Sequence, residues 1–311
     1  MPALTIRKSI VVQAAPDKVY ATVRDFQKWP KWSPWVLCEP ECALNFREDG
    51  KGYSWDGAVI GSGSIEVVSE DAPRSIRKKL RFLKPFKSSS KAGFEFKDLG
   101  AGQRVEVTWT MDGSLPFFLF FLKPMMTNML GMDYERGLAM LKDLIETGSV
   151  PSKLAFPGRK AFPGGRYIGV KAQTPIAQIG VSMDQSFAKL RQWLKARGIK
   201  RTGVCLAIYH KWDLAKGIGD YTAAVFVGDG VFHGKLPEGF VSGAIPACAA
   251  EIVRHTGPYR YLGNAWSAAM ARAKGLKWPC DKNIDDFEIY ENEPGKVREN
   301  DLVTTIYIPV K

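Results

Sequence analysis

One short segment near the end of this 311-residue chain carries the residue types best suited to chemistry: Asp286-Phe287-Glu288-Ile289-Tyr290-Glu291. Side chains of a strand alternate faces, so Phe287 and Ile289 point one way and Glu288 and Tyr290 the other. Helices need the apolar pair, which leaves Glu288 and Tyr290 facing a cleft. A second segment, Leu206-Ala207-Ile208-Tyr209, repeats the pattern and adds Ala207 and Tyr209 to that face. One half then supplies a carboxylate where the other supplies a methyl group. A carboxylate among aromatic rings can pair with a flat cationic ligand stacked on those rings. Partly desolvated, it can instead act as a general base toward water or a substrate proton. In a third reading it is a buried group tied to an arginine or to backbone donors.

Tyr221, Tyr259 and Trp266 join Tyr209 and Tyr290 as candidates to line the cleft. Trp266 lies in a helical pattern covering the outer face and is expected in the core unless its ring reaches over the sheet edge. His210 has the opposite parity to Tyr209 and reads as structural. No Gly-rich phosphate loop, nucleophile elbow or metal-ligand spacing is present, so neither cofactor nor metal is expected. The cysteines Cys38, Cys42, Cys205, Cys248 and Cys280 are odd in number and scattered, which fits a reducing cytoplasm better than a disulfide framework.

The elements that must hold these residues fall into two sets. The chain's length fits two cores, and its 45% apolar and 24% charged residues are those of ordinary globular proteins. In the first half, Ser64–Val68, Ser75–Phe82, Lys91–Phe96 and Arg104–Met111 alternate like strands of an antiparallel sheet. Helical spacing marks Ala15–Phe26 before them and Tyr134–Glu146 after them. Glu95 and Glu106 sit in these strands without alternation saying which face is interior. The apolar run Leu115–Leu122 is far shorter than a membrane span and suits core or a cavity lid. Residues 149–165, with the stutter FPG-RKA-FPG, read as a Pro/Gly-rich linker between domains at 1–148 and 166–311.

The second half reads as one unit written twice. Unit one has strands near Arg166–Gln173, Val204–Tyr209 and Tyr221–Val227, with a helix at Met183–Arg197. Unit two has strands at Phe240–Pro246, Ala249–His255, Asp286–Tyr290 and Val303–Val310, with a helix at Tyr261–Ala273. The formal charge is +12, and residues 151–216 alone hold 13 Lys/Arg against 2 Asp/Glu. A run such as Lys195, Arg197, Lys200 and Arg201 is the kind of solvated helix end that the helix dipole favours, so sequence-specific nucleic-acid binding is not expected.

Two resemblances follow from named residues. Ile10-Val11-Val12, Ala15-Pro16-Asp17-Lys18-Val19-Tyr20, Asp25-Phe26, Trp29, Trp32-Ser33-Pro34-Trp35 and Tyr53-Ser54-Trp55-Asp56-Gly57 resemble the START-like (SRPBCC) superfamily, in its polyketide-cyclase and stress-ATPase-activator branches. That resemblance implies a helix-grip sheet around the last helix with an apolar cavity. His255-Thr256-Gly257-Pro258-Tyr259, the helix with Trp266, Phe287-Glu288-Ile289-Tyr290 and Ile306-Tyr307-Ile308-Pro309-Val310 resemble the gyrase-inhibitor-like effector-binding domain. It implies duplicated strand-helix modules, a concave sheet with helices outside, and a glutamate used for ligand contact or, in a hydrolytic branch, for water activation.

The expectation is therefore an α+β protein of two ligand-cavity domains in the cytoplasm, without a membrane span or a DNA-reading segment of its own. A hydrophobic or cationic aromatic molecule would occupy the C-terminal cleft on Glu288, and an apolar ligand the N-terminal cavity. A regulatory role would need a protein partner. The enzyme readings are a hydrolase with Glu288 as catalytic base or a cyclase-like activity in the first domain; a co-chaperone role would leave the second domain unexplained.

Overall fold

Alternating apolar rows curve the first sheet around a helix in the computed structural model of the chain, which describes residues 3–100, 102–115, 117–199, 203–228 and 235–311. The elements are β1 (Ala3–Val12), α1 (Pro16–Arg24), β2 (Ala43–Phe46), β3 (Gly52–Asp56), β4 (Ser62–Asp71), β5 (Ser75–Lys84), β6 (Ser88–Asp98), β7 (Val105–Ser114) and α2 (Lys123–Thr147). They form a seven-stranded antiparallel sheet in the order β1-β7-β6-β5-β4-β3-β2. Helix α1 starts on Pro16 and Asp17, residues suited to a first turn, and α2 stops at Gly148 with φ 84°.

The inward rows carry Ile76, Lys78, Phe94, Phe96, Val107 and Trp109, all buried. Aromatic rings fill the grip: Trp109 stacks on Tyr134 of α2 at 4.2 Å and on Phe94 at 4.9 Å, and Trp29 meets Trp32 at 4.9 Å. Glu95 lies on the outer face in an ion pair with Arg7. Alternation puts Glu106 on the same side, between buried Val105 and Val107. Helix α2 starts eleven residues before the predicted Tyr134–Glu146, because its first turns are only half buried and show no apolar stripe. Within the run Leu115–Leu122, Leu115 is buried while Phe120 and Phe121 are 56% and 62% exposed. Residue 116 and the side chains of residues 117 and 118 lie outside the description, as do Lys200 and Arg201 of the basic run.

The second compact unit comprises Ser152–Ala273 with Lys277–Lys311. Its elements are β8 (Lys153–Phe162), β9 (Gly165–Pro175), α3 (Ile179–Ala196), β10 (Cys205–Asp213), β11 (Ile218–Val227), β12 (Phe240–Ile245), β13 (Cys248–Thr256), α4 (Leu262–Gly275), β14 (Asp286–Tyr290) and β15 (Val303–Val310). The eight strands run β12-β9-β11-β10-β14-β15-β13-β8. The repeat is explicit here: β9-α3-β10-β11 mirrors β13-α4-β14-β15, and the halves meet where β10 pairs with β14.

The stretch read as a linker is largely a strand. β8 pairs with β13 along its length, and the Pro and Gly that suggested a linker sit at a register shift, where Ile252 faces Gly158 and Arg254 faces Ala155. An edge strand tolerates Pro157 and Gly158 because the bulge leaves out of the ladder the position where proline has no N–H to donate. β8 and β9 are joined by two residues, 163 and 164, yet stand near opposite edges of the sheet; residues 246 and 247 join β12 to β13 in the same way. The sheet must curl for both to close. Gly164 (φ 83°) passes the other crossing so tightly that a Cβ there would stand 2.8 Å from the Ala247 backbone nitrogen.

Inside the curl lies an apolar cluster of Phe162, Leu206, Ile208, Ala224, Ile245, Phe287 and Ile289. Helices α3 and α4 cover the other face. This corrects the sequence expectation: Phe287 and Ile289 pack within the curl, and the helices take the face of Glu288. The parity is as read, but curling of the sheet lets it bury its own apolar row without helices.

Candidate functional site

Glu288 stands on central strand β14, opposite Ala207 of β10 and Ile306 of β15. It is fully buried. Its Oε1 accepts hydrogen bonds from the hydroxyls of Tyr209 at 2.8 Å and Tyr290 at 2.6 Å. Its Oε2 accepts one from the indole Nε1 of Trp266 at 2.6 Å. Among the described residues no lysine or arginine pairs with it. The local sequence explains the arrangement: the methyl of Ala207 leaves room across the ladder, Tyr209 and Tyr290 share the face by alternation, and α4 lowers Trp266 onto it.

Burial pushes the Glu288 carboxyl above its ordinary range, against the pull of its three donors, which favour the anion. The same burial, with the carboxylate beside them, holds the Tyr209 and Tyr290 hydroxyls well above theirs, so both remain donors.

Rings surround this cluster. Trp212 stacks on Tyr209 at 4.7 Å, and Trp266 meets Tyr209 edge-on at 4.7 Å. Tyr259 and Phe187 approach Tyr290 edge-on at 5.4 Å and 5.6 Å. Of the residues singled out from the sequence, Tyr209, Tyr290 and Trp266 touch Glu288, and Tyr259 stands behind Tyr290. Tyr221 shares the face but directs its hydroxyl to Ser182 and Ser186 of α3, at 2.7 Å and 3.2 Å. His210 turns away, its ring nitrogens 2.6 Å from Asp285 and 2.7 Å from Thr222.

Trp212 and Phe187 were missed. Strict alternation puts Trp212, three residues after Tyr209, on the opposite face. A bulge at His210 shifts the phase, so that Tyr209 pairs with Tyr221 and Trp212 with Gly219. Phe187 belongs to the buried row of α3, where helical spacing cannot tell a ring over the carboxylate from ordinary core.

A second polar group anchors α4. His255, fully buried at the end of β13, lies 3.2 Å from the Ser152 hydroxyl, which also accepts a hydrogen bond from Asn264 of α4 at 3.1 Å. Burial pushes the His255 ring down to about 4, so it is neutral at ordinary pH. This joins the start of α4, and with it Tyr259 and Trp266, to the sheet.

Residues 3–146 match the family model described as polyketide cyclase / dehydrase and lipid transport, and residues 160–311 that of the GyrI-like small molecule binding domain. Among solved structures, the EcmrR C-terminal domain is 23% identical, covering 51% of this chain and 98% of that one, with a TM-score of 0.40. An EcmrR–DNA complex is 18% identical over 60% of this chain, with a TM-score of 0.41; this chain spans 65% of that relative's length. A START superfamily protein from Mycobacterium smegmatis is 20% identical over 47% of this chain and 99% of its own, with a TM-score of 0.34. No curated protein matches. Among the described residues no helix is long and apolar enough to cross a membrane.

Proposed function

The chain joins a START-like domain to a GyrI-like small-molecule-binding domain, and on that premise we propose that its GyrI-like half binds a hydrophobic, aromatic cation with Glu288 as the anchor. The observation that carries this reading is a fully buried carboxylate with three neutral donors and no counter-ion among the described residues. An isolated buried charge is costly, and a cation brought against it offsets that cost through attraction in a poorly screened site. The half-buried rings of Trp212 and Tyr259 suit the aromatic body of such a ligand.

In the closed arrangement, Trp266 and the two tyrosines occupy the carboxylate. Ligand entry exchanges at least one of these donors for the cation, with α4 moving as the cover. A general-base role for Glu288 would need a water against the carboxylate, where both oxygens already accept hydrogen bonds from side chains. The START-like half, in this reading, holds a second, apolar ligand.

The test is a thermal-shift titration with tetraphenylphosphonium and a neutral aromatic of similar size, on the full chain and on Glu288→Gln. Ligand at 100 times its dissociation constant stabilises the folded state by about 2.7 kcal/mol, enough to read directly. The cation is expected to shift the wild type and not the variant. An equal shift in both sinks the anchor role.

A further inference from the structure

The apolar run after β7 winds into a short 3-10 turn, Phe117–Leu122. With three residues per turn, neighbouring side chains point in different directions, so such a run cannot hide all its rings on one face. Phe120 and Phe121 are each more than half exposed, their rings edge to face at 6.2 Å. The turn leaves the sheet at Ser114, opposite Ala3 at the start of β1. Next to it on the other side is the start of β6, where a Cβ on Gly113 would stand 2.5 Å from the Ser90 hydroxyl. The hairpin that joins β5 to β6, closed by Phe82 against Ser88, therefore projects from the same end of the sheet. It adds two more exposed apolar side chains, Leu83 and Phe86.

The same two segments are basic without acids. Residues 76–94 hold seven Lys/Arg and no Asp/Glu, and residues 113–132 hold Lys123 and no Asp/Glu. Lys84 and Lys87 frame Phe86, and Lys123 follows Leu122; all three are exposed. Lys84 reaches Asp56 at 3.4 Å, in a contact open to solvent. Lys78 of β5 is turned inward against the rings of Phe26, Trp29 and Phe94 and takes no part. Exposed rings framed by lysines fit the boundary of an anionic bilayer, where apolar side chains enter below the headgroups and ammonium groups meet phosphates. A second copy of the chain fits this end less well. A twofold contact through it would set the lysines of one copy against those of the other.

We propose that this end of the START-like unit docks on an anionic lipid surface, with Leu83, Phe86, Phe120 and Phe121 at the acyl boundary and Lys84, Lys87 and Lys123 on the lipid phosphates. The contact is interfacial: the rings reach the boundary between headgroups and chains, and no element crosses the bilayer. The lysines supply an attraction that salt screens, and the rings supply a part that salt leaves intact. Both are needed, because neither three lysines nor two aromatic rings alone hold a domain of this size firmly to a surface. The surface lies in the START-like unit and stands independently of Glu288.

The full chain is titrated by flotation with vesicles of phosphatidylcholine alone and of phosphatidylcholine mixed with phosphatidylserine, at low and at high salt. Two variants test the tip: Phe120→Gln with Phe121→Gln, and Lys87→Gln with Lys123→Gln. A third, Lys195→Gln with Arg197→Gln, removes the same charge from the GyrI-like unit as a control. Circular dichroism and melting temperature confirm that each is folded. The wild type is expected to bind the serine-lipid vesicles at least about tenfold more tightly than the neutral ones, and less tightly in high salt. Each tip variant is expected to lose at least about tenfold, and the control to bind like the wild type. Failure to bind the anionic vesicles, undiminished binding by either tip variant, or a loss confined to the control overturns the proposal. So does a wild type that elutes as a dimer while the phenylalanine variant elutes as a monomer, since a second copy would then cover the rings.

Discussion

The Trp266 indole donates a 2.6 Å hydrogen bond to the Glu288 carboxylate, tying the cover helix to the central strand through a buried acidic group. Trp266→Phe keeps a ring and removes the donor. Urea denaturation is expected to show a loss of about 1–3 kcal/mol, the cost of leaving a buried acceptor short of a partner. Tetraphenylphosphonium is expected to bind more tightly, since the ligand no longer competes with the indole. Weaker binding would make Trp266 part of the ligand's seat instead of its cover.

A buried histidine and a half-buried aspartate in the same unit respond oppositely to pH. His255 is held down at about 4, so the unfolded chain binds the extra proton between pH 6.5 and 4, and stability falls as the solution is acidified. Asp286 is held up at about 6 by burial and then by Asp285; here the folded state binds the extra proton, and stability falls as pH rises from 4 to 6. The contributions oppose each other across that window. Asp286→Asn should leave a steeper acid loss, and His255→Gln a flatter or inverted profile, in urea midpoints measured at pH 4, 5, 6 and 7. Parallel profiles for both variants and the wild type would refute the assignment.

Lys78 makes the START-like unit more stable in base. With its folded-state value depressed, the unfolded chain binds the extra proton, so stability rises with pH toward the ordinary lysine value of 10.5. Lys78→Met keeps an unbranched apolar side chain, one atom shorter, and removes the titration. It is expected to melt higher than the wild type at pH 7, with the difference shrinking by pH 9.5. A variant that melts lower at pH 7 would mean the rings hold a charged lysine firmly.

Gly164 is where the crossings between strands pass. Its φ of 83° and the 2.8 Å approach of a Cβ to Ala247 combine backbone strain with a clash against main chain. Gly164→Ala should therefore cost more than the roughly 1 kcal/mol of an unstrained helix or strand change. A chemical midpoint unchanged from the wild type would show that the crossing can spread.

Strand and helix positions were legible because alternation and helical spacing are local properties. Glu288, Tyr209 and Tyr290 could be put on one face for the same reason. The side on which helices lie was not legible: whether Phe287 packs on a helix or on Phe162 depends on the curl of the sheet, which pairings between residues distant in sequence decide. β8 was hidden because Pro157 and Gly158 at a bulge look like the end of all structure. Trp212 was hidden by the extra residue at His210. Lys78 was visible in principle, as a lysine in an inward row, but a charged residue in a strand is ordinarily assigned to solvent.

The pairing of Ala207 with Glu288 across the line where the two halves meet bears on stoichiometry. A duplicated domain offers two equivalent places for every residue, and here those places are direct cross-strand neighbours. Two carboxylates at that separation, both shut away from water, could not ionise together. The duplication therefore had to lose its symmetry at this point. A domain with two similar halves is left with one carboxylate at this seam, so the proposed function carries the expectation of one cation per chain, held in a single orientation.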